Sequence, residues 1–467
     1  MPEIGSEHHK DGSSRHPAID RETSALGSVL GHLADPLFRH GYTLIVNTGL
    51  TSALGIVYWV LAARLYRADQ VGVNASVISS LVFLSGLAQL NLRPVLSRFI
   101  PVAGRRTARL ALGSYASALL VAALAAVVFL FGSSIWASGG PIPIVRSQPL
   151  LAAIFVGGTM LWTIFSLQDG ILVGLRATIW LVIENVVFGI AKIAVIVALA
   201  TWPDARDIAI VASWLAPMVV AVAVVNLLMF RSLVPSHVRA RPESSALVTA
   251  PRIARFAAAD YLGSLFALTY IALLPVIIID QVGVKAGGQF YIVWVIASSL
   301  QLVAPQLTAS LTVETAADPS TFRRQGRRTL IGLLRILVPV CLLVALLAPS
   351  ILSIFGEAYV GEAGFLRLLV LAIIPQGINS LYVGLARIAL RPRRIIAMQV
   401  ALAALILSMS LLLVGPLGLE GVGLAFLIGQ TAVAVVALAT ALRPLLVREH
   451  EAAPARVPGR SDRGAPD

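Results

Sequence analysis

The sequence has little charge and almost no cysteine. Charged residues make up 13% of its 467 positions, against about 25% in an ordinary soluble domain. Cys341 is the single cysteine, so an intrachain disulfide framework and a multi-cysteine metal site are both excluded. Its place inside an apolar run marks it as a small packing residue. His8 and His9 sit in a polar tail and the other five histidines are scattered without ligand spacing. No metal and no other cofactor is expected. The chain also lacks a Gly-x-x-x-x-Gly-Lys-Ser/Thr phosphate loop, so no ATPase of its own is expected. Its first forty residues lack the basic segment, apolar core and small-residue cleavage site of a signal peptide. The first membrane helix is therefore expected to act as the insertion signal.

What is abundant is apolar surface: 58% of residues are hydrophobic and the mean hydropathy is +0.87. At about twenty apolar residues per crossing, spans are expected at 41–64, 72–92, 109–132, 149–172, 178–200, 207–230, 254–279, 287–312, 329–354, 364–386, 395–415 and 420–442. The fold class is thus an all-α polytopic membrane protein of about twelve helices.

The net charge of +13 suits topology better than nucleic acid, because the arginines punctuate the apolar runs and form no basic domain. With the N-terminus inside, the inner loops collect Arg93, Arg98, Arg105, Arg106 and Arg109, then Arg176, then Arg231, Arg239, Arg241 and Arg252. Arg323, Arg324, Arg327, Arg328, Arg391, Arg393 and Arg394 follow the same rule, and Arg443 opens a basic tail. The outer loops hold Arg64, Arg67, Arg146, Arg206 and Lys285 beside several carboxylates. Both termini are therefore expected in the cytoplasm of a cell-membrane protein.

The segment 231–252 divides the twelve spans into six and six. The expected organisation is a tail at 1–37, an N-lobe at 38–230, the linker at 231–252, a C-lobe at 253–445 and a tail at 446–467. Both tails have disordered composition. Asp69-Gln70-Val71-Gly72-Val73 recurs as Asp280-Gln281-Val282-Gly283-Val284, each after the first span of its half. Five letters can coincide in so biased an alphabet, but their equal position favours duplication. Six intervening spans would make it a parallel repeat about an axis along the membrane normal, with substrate between the lobes.

An ionisable group at bilayer depth costs at least about 2.5 to 3.5 kcal/mol, which makes such groups candidates. Glu184 and Lys192 share the fifth span, eight residues and about 12 Å apart, too far to pair. Lys192 can attract a pyrophosphate and Glu184 a proton or cation; burial against neutralising partners is the other reading. Asp260 and Arg335 lie nearer the cytoplasmic face, where an arginine can snorkel. Arg93 and Arg98 follow the second span and suit either phosphate capture or topology signalling. Arg64 ends the first span on the outer side, against the charge rule, as an anchor or a ligand. Asn47, Asn185, Gln301, Gln306 and Asn379 suit sugar hydroxyls or interhelical hydrogen bonds.

Several segments resemble the multidrug/oligosaccharidyl-lipid/polysaccharide (MOP) exporter superfamily, particularly its polysaccharide-flippase (Wzx-type) branch. They are Asn47-Thr48-Gly49 through Ala63-Arg64-Leu65-Tyr66, then Asp69-Gln70-Val71-Gly72, and Gly86-Leu87-Ala88-Gln89-Leu90-Asn91-Leu92 before Arg98-Phe99-Ile100-Pro101. Phe355-Gly356-Glu357-Ala358-Tyr359 and Leu366-Arg367-Leu368-Leu369 add to them. The resemblance implies two six-helix lobes around a cavity, and a transporter rather than an enzyme. Its substrate would be a polyprenyl-pyrophosphate-linked oligosaccharide flipped to the outer leaflet, within membrane lipid and beside glycan polymerase or ligase partners. Two alternatives stand. A drug/cation antiporter of the same superfamily would favour acidic cavity residues. A polyprenyl-dependent glycosyltransferase would need an acidic pair on a sizeable outer loop, which the short outer loops lack.

Overall fold

The computed structural model describes residues 36–136, 142–202, 206–240, 242–243, isolated positions from 249 to 275, 277–301, 304, 322–388, 392–440 and 442. Every element among them is helical. The first half contains α1 (Pro36–Leu65), α2 (Ala68–Ala88), α3 (Leu92–Phe99), α4 (Thr107–Trp136) and α5 (Ile142–Ser147). It continues with α6 (Pro149–Gly174), α7 (Thr178–Ala200), α8 (Ala209–Leu228) and α9 (Val234–Ala240). The second half contains α10 (Val284–Gln301), α11 (Phe322–Leu346), α12 (Ala348–Phe355), α13 (Glu357–Val360), α14 (Ala363–Ile388) and α15 (Pro392–Thr440).

Nine helices among the described residues are long and apolar enough to cross a membrane. The last holds two expected spans, because Gly418 breaks α15 with φ 58° and ψ −140°, two residues after Pro416. The eighth expected span begins as α10, and most of the seventh lies outside the described residues. Where sequence and structure differ, local chemistry explains why. The expected ninth span, 329–354, ends at Leu346, and α12 starts afresh with Pro349 in its first turn, where the missing N–H costs nothing. At the expected linker, α8 instead runs through a π-turn (Met229–Leu233) into α9. Met229 and Val234 are buried there, and the His237 ring meets the Ile100 carbonyl at 3.1 Å.

Lipid offers no hydrophobic force to press helices together, so close contact depends on small residues. On α6, a Cβ at Gly170 would meet the Arg93 carbonyl at 2.7 Å and one at Gly174 the Leu96 carbonyl at 2.8 Å. These glycines seat the amphipathic α3, which buries Leu92, Val95, Leu96 and Phe99 while Arg93 and Arg98 stay exposed. Large apolar residues face outward instead, among them Leu120 at 72% and Leu412 at 74% exposure, as a hydrocarbon solvent permits.

The end of the bundle that carries Arg93, Arg98, Arg105 and Arg106 is termed the basic end and the other the outer end. The halves meet at the outer end, where α2 crosses α10 so tightly that a Cβ at Gly72 would strike the Val284 carbonyl and one at Gly288 the Ala68 carbonyl. One apolar cluster runs through this seam, from Tyr58, Val71 and Ile196 to Phe290, Leu352 and Phe365. Among the described residues the basic end carries two further clusters, one around Leu96 and Leu172 and one around Leu381 and Leu385. Tyr261 of the second half donates to the Leu87 carbonyl of the first at 2.7 Å. The repeated pentapeptide differs in backbone: its first copy lies in the opening turns of α2, whereas Gly283 breaks the chain before α10 with φ 99°.

Two outcomes follow from this packing. Gly174→Leu should cost about 1–3 kcal/mol, lowering the melting temperature in detergent, while Gly113→Leu, at a position where an added Cβ would meet nothing within 4 Å, should not. At the outer end, burial and the Glu420 carboxylate hold the Glu362 carboxyl above its usual range, opposed by Lys285. The folded chain therefore holds that proton more tightly than the unfolded one, and stability is lost as pH rises past the ordinary carboxylate range. Glu362→Gln should raise the melting temperature at about pH 7 and change it little at about pH 4.

Candidate functional site: a caged lysine and a buried carboxylate in the N-terminal half

Lys192 lies on α7 and is 8% exposed. Its ammonium stands 4.6 Å from the Trp214 ring centre, 4.7 Å from Tyr58 and 5.4 Å from Phe188. Such contacts are worth about 0.5–1 kcal/mol when exposed and about 2 or more when desolvated. No carboxylate among the described residues pairs with it. The cage is held from behind. Tyr58 shares a 2.8 Å hydrogen bond with Ser213 and donates to the Ile210 carbonyl at 3.2 Å, while Trp162 stacks on Trp214 at 5.1 Å. Trp59, next to Tyr58, packs 4.5 Å from Tyr291 of α10. The cage therefore adjoins the seam between the halves.

Glu184, two helical turns towards the basic end, has a different neighbourhood. It is 4% exposed, and neither carboxylate oxygen has a hydrogen-bond partner among the described residues. Asp169 of α6 lies within electrostatic reach and pairs through Oδ2 with Arg93 at 3.0 Å. Around them Tyr115 donates to Asn226 at 3.1 Å and Gln168 to the Val222 carbonyl at 3.2 Å, which leaves Gln168 Oε1 without a partner among the described residues. Lys192 and Glu184 thus belong to two separate sites, one aromatic and cationic, the other polar and acidic.

The remaining candidates disperse. Arg93 is engaged by Asp169, which is not among the sequence candidates although a carboxylate inside the 149–172 span was its signal. Arg98 is exposed on α3, and Arg335 is exposed on α11. Asn47 is half-buried with Oδ1 unpartnered among the described residues. Asp260 and Gln306 lie outside the described residues. Asn379 bonds Gln430 across helices, Nδ2 to Oε1 at 2.8 Å, and Asn185 bonds back to Leu181 in its own helix. No cluster of three or more His, Cys, Asp or Glu suited to a metal occurs among the described residues.

Arg64 bridges the halves at the outer end. Its Nε donates to the Ile354 carbonyl at 2.8 Å and its Nη2 to the Ser353 carbonyl at 2.7 Å. Both carbonyls belong to the last turn of α12, where a helix leaves acceptors unsatisfied and its dipole favours a cation. A separate pocket of about 680 Å³ opens at the outer end between α2, α5, α6 and α8. Asp69, Gln70, Asn74 and Asp207 line its polar side, and Leu81, Phe155 and Leu215 its apolar side.

No protein-family model and no curated protein sequence matches the chain. Solved structures do. An inward-facing multidrug resistance MATE family transporter of the MOP superfamily aligns over 85% of this chain and 94% of its own, at 15% identity and a TM-score of 0.65. The fold is that of a MOP transporter. An outward-facing MATE family transporter aligns over 89% and 97% at 15% identity and a TM-score of 0.55. A MOP transporter from Pyrococcus furiosus, described as having a binding pocket of reversed polarity that suggests a different function, aligns over 89% and 98% at 15% identity and 0.57.

Breaking the Arg64 bridge should loosen the outer closure. In Arg64→Ala, hydrogen–deuterium exchange over 348–360 should rise several-fold while 209–228 stays as in wild type. Arg64→Lys, which cannot present a planar fork to two carbonyls, should fall between them.

Proposed function

We propose that this membrane transporter moves a lipid-linked oligosaccharide from the cytoplasmic to the outer leaflet by alternating access, with Lys192 receiving the pyrophosphate of the polyprenyl carrier. The observation that carries this reading is the aromatic cage around Lys192. Aromatic faces stabilise an ammonium without neutralising it, whereas a carboxylate would cancel its field. A buried cation so kept retains its affinity for an anion. The cage borders the seam through the Trp59–Tyr291 contact, so parting of the halves would uncover it.

The remaining geometry fits such a cycle. The outer end is closed by Arg64 on the α12 carbonyls and by the Gly72 and Gly288 contacts. That closure, and the higher similarity to an inward-facing MATE structure, support a conformation that faces the basic, cytoplasmic side. Loading would occur there, and opening of the Arg64 bridge would release the glycan outward. No covalent step is required. Polyprenyl stays in lipid while the sugars and pyrophosphate are shielded between the halves.

Glu184 favours a second reading. A buried carboxylate with both oxygens unpartnered among the described residues suits a proton or cation in a drug/cation antiporter of the same fold, and serves equally as the coupling site of a flippase.

The test is leaflet translocation of radiolabelled polyprenyl-pyrophosphate glycan in proteoliposomes. Wild type should exceed empty vesicles, Lys192→Ala should lose about tenfold or more, and Glu184→Gln should retain binding of the glycan lipid while losing any dependence on a pH gradient. Wild type that moves no glycan lipid but exchanges a soluble cation for protons, with Lys192→Ala unimpaired, establishes the antiporter instead.

A further inference from the structure

A second cavity, of about 600 Å³, lies in the C-terminal half between α14 and the two limbs of α15. Its walls are apolar, built from Ala397, Met398, Ala401 and Leu405 on the first limb and Ala432 and Val436 on the second. Met398 is buried at its base, while Ala397, Ala401, Ala432 and Val436 are exposed, so the cleft opens on a surface of the described helices that is itself apolar, with Val435 and Val436 beside it. Arg394 lines it, and no acidic side chain among the described residues does. Arg394 stands in the first turn of α15, where free backbone N–H groups and the helix dipole reinforce its charge.

The dimensions identify the occupant. From Arg394 to Leu405 the helix rises about 16 Å, half of the roughly 30 Å hydrocarbon core. The second limb reaches the same face, ending at Thr440, which also lines the cavity. The cleft is therefore one leaflet deep, with a guanidinium at headgroup level and methyl groups below it. Alanines at four of its positions keep the limbs from filling the space themselves. A guanidinium matches phosphate oxygens in a planar fork, and basic pockets between helices on the cytoplasmic side suit anionic headgroups.

We propose that this cleft is a binding site for an anionic phospholipid of the cytoplasmic leaflet, its phosphate on Arg394 and one acyl chain along Ala397, Ala401 and Ala432. The site is independent of the transported substrate. It lies on the lipid-facing side of the second half, whereas the Lys192 cage lies in the first.

The experiment uses the full chain, stripped of lipid in detergent and offered equal amounts of phosphatidylglycerol and phosphatidylcholine with matched acyl chains, with retained lipid counted by native mass spectrometry. Wild type should retain phosphatidylglycerol about tenfold over phosphatidylcholine. Arg394→Gln should reduce that preference to near parity. Arg393→Gln, which removes the same charge from a side chain that does not line the cleft, should leave it intact. Ala401→Trp, which fills the cleft, should reduce retention of both lipids; should that variant not fold, the two arginine variants decide alone. Equal retention of the two lipids by wild type, or equal losses in Arg394→Gln and Arg393→Gln, would overturn the site.

Discussion

Hydrocarbon neither solvates a charge nor competes for a hydrogen bond, and the rest of the structure follows from that constraint. Each ionisable group within the bundle must find its stabilisation inside the protein. Lys192 finds it in three aromatic faces, and Asp169 in Arg93 on the short α3. Glu184 has polar neighbours instead of a direct partner among the described residues. The contrast sets the chemistry of the N-terminal half, which places a cation beside the seam and a carboxylate nearer the basic end. The glycines of α6 that seat α3 hold Arg93 where it meets Asp169, so packing and electrostatics depend on the same contact.

Much of the architecture was legible because twenty consecutive apolar residues have few alternatives. The spans at 149–172 and 178–200 match α6 and α7 within two residues at each end. Boundaries set by tertiary contacts were less legible. Arg231 and Arg239 marked a linker, yet Met229, Val234 and His237 carry the helix to Ala240 against the α3 region. The two copies of the repeated pentapeptide adopt unlike backbones at Gly72 and Gly283.

Of the site, single intramembrane charges could be read and their surroundings could not. Lys192 and Glu184 stand out in an apolar helix, and their spacing correctly separates them. Nothing in the sequence joins Tyr58 of α1, Phe188 of α7 and Trp214 of α8 into a cage, because only the packing of three helices brings them together. Arg64 was conspicuous for its outer position against the charge rule. Its role needed the position of α12, some 290 residues later in the chain.

The Arg64 bridge also bears on energetics. Hydrogen bonds to a charged group contribute about 1.5–3 kcal/mol each when shielded, and less at so exposed a position. A ligand could open the outer end only by binding the open form more tightly than the closed form by at least the bridge's contribution. A ligand held equally well by both forms would shift nothing however tightly it bound, and full reversal from about 1:99 to 99:1 requires roughly 5.5 kcal/mol of differential affinity. One arginine on two carbonyls therefore adds only a modest term to the contacts that hold the halves together at this end.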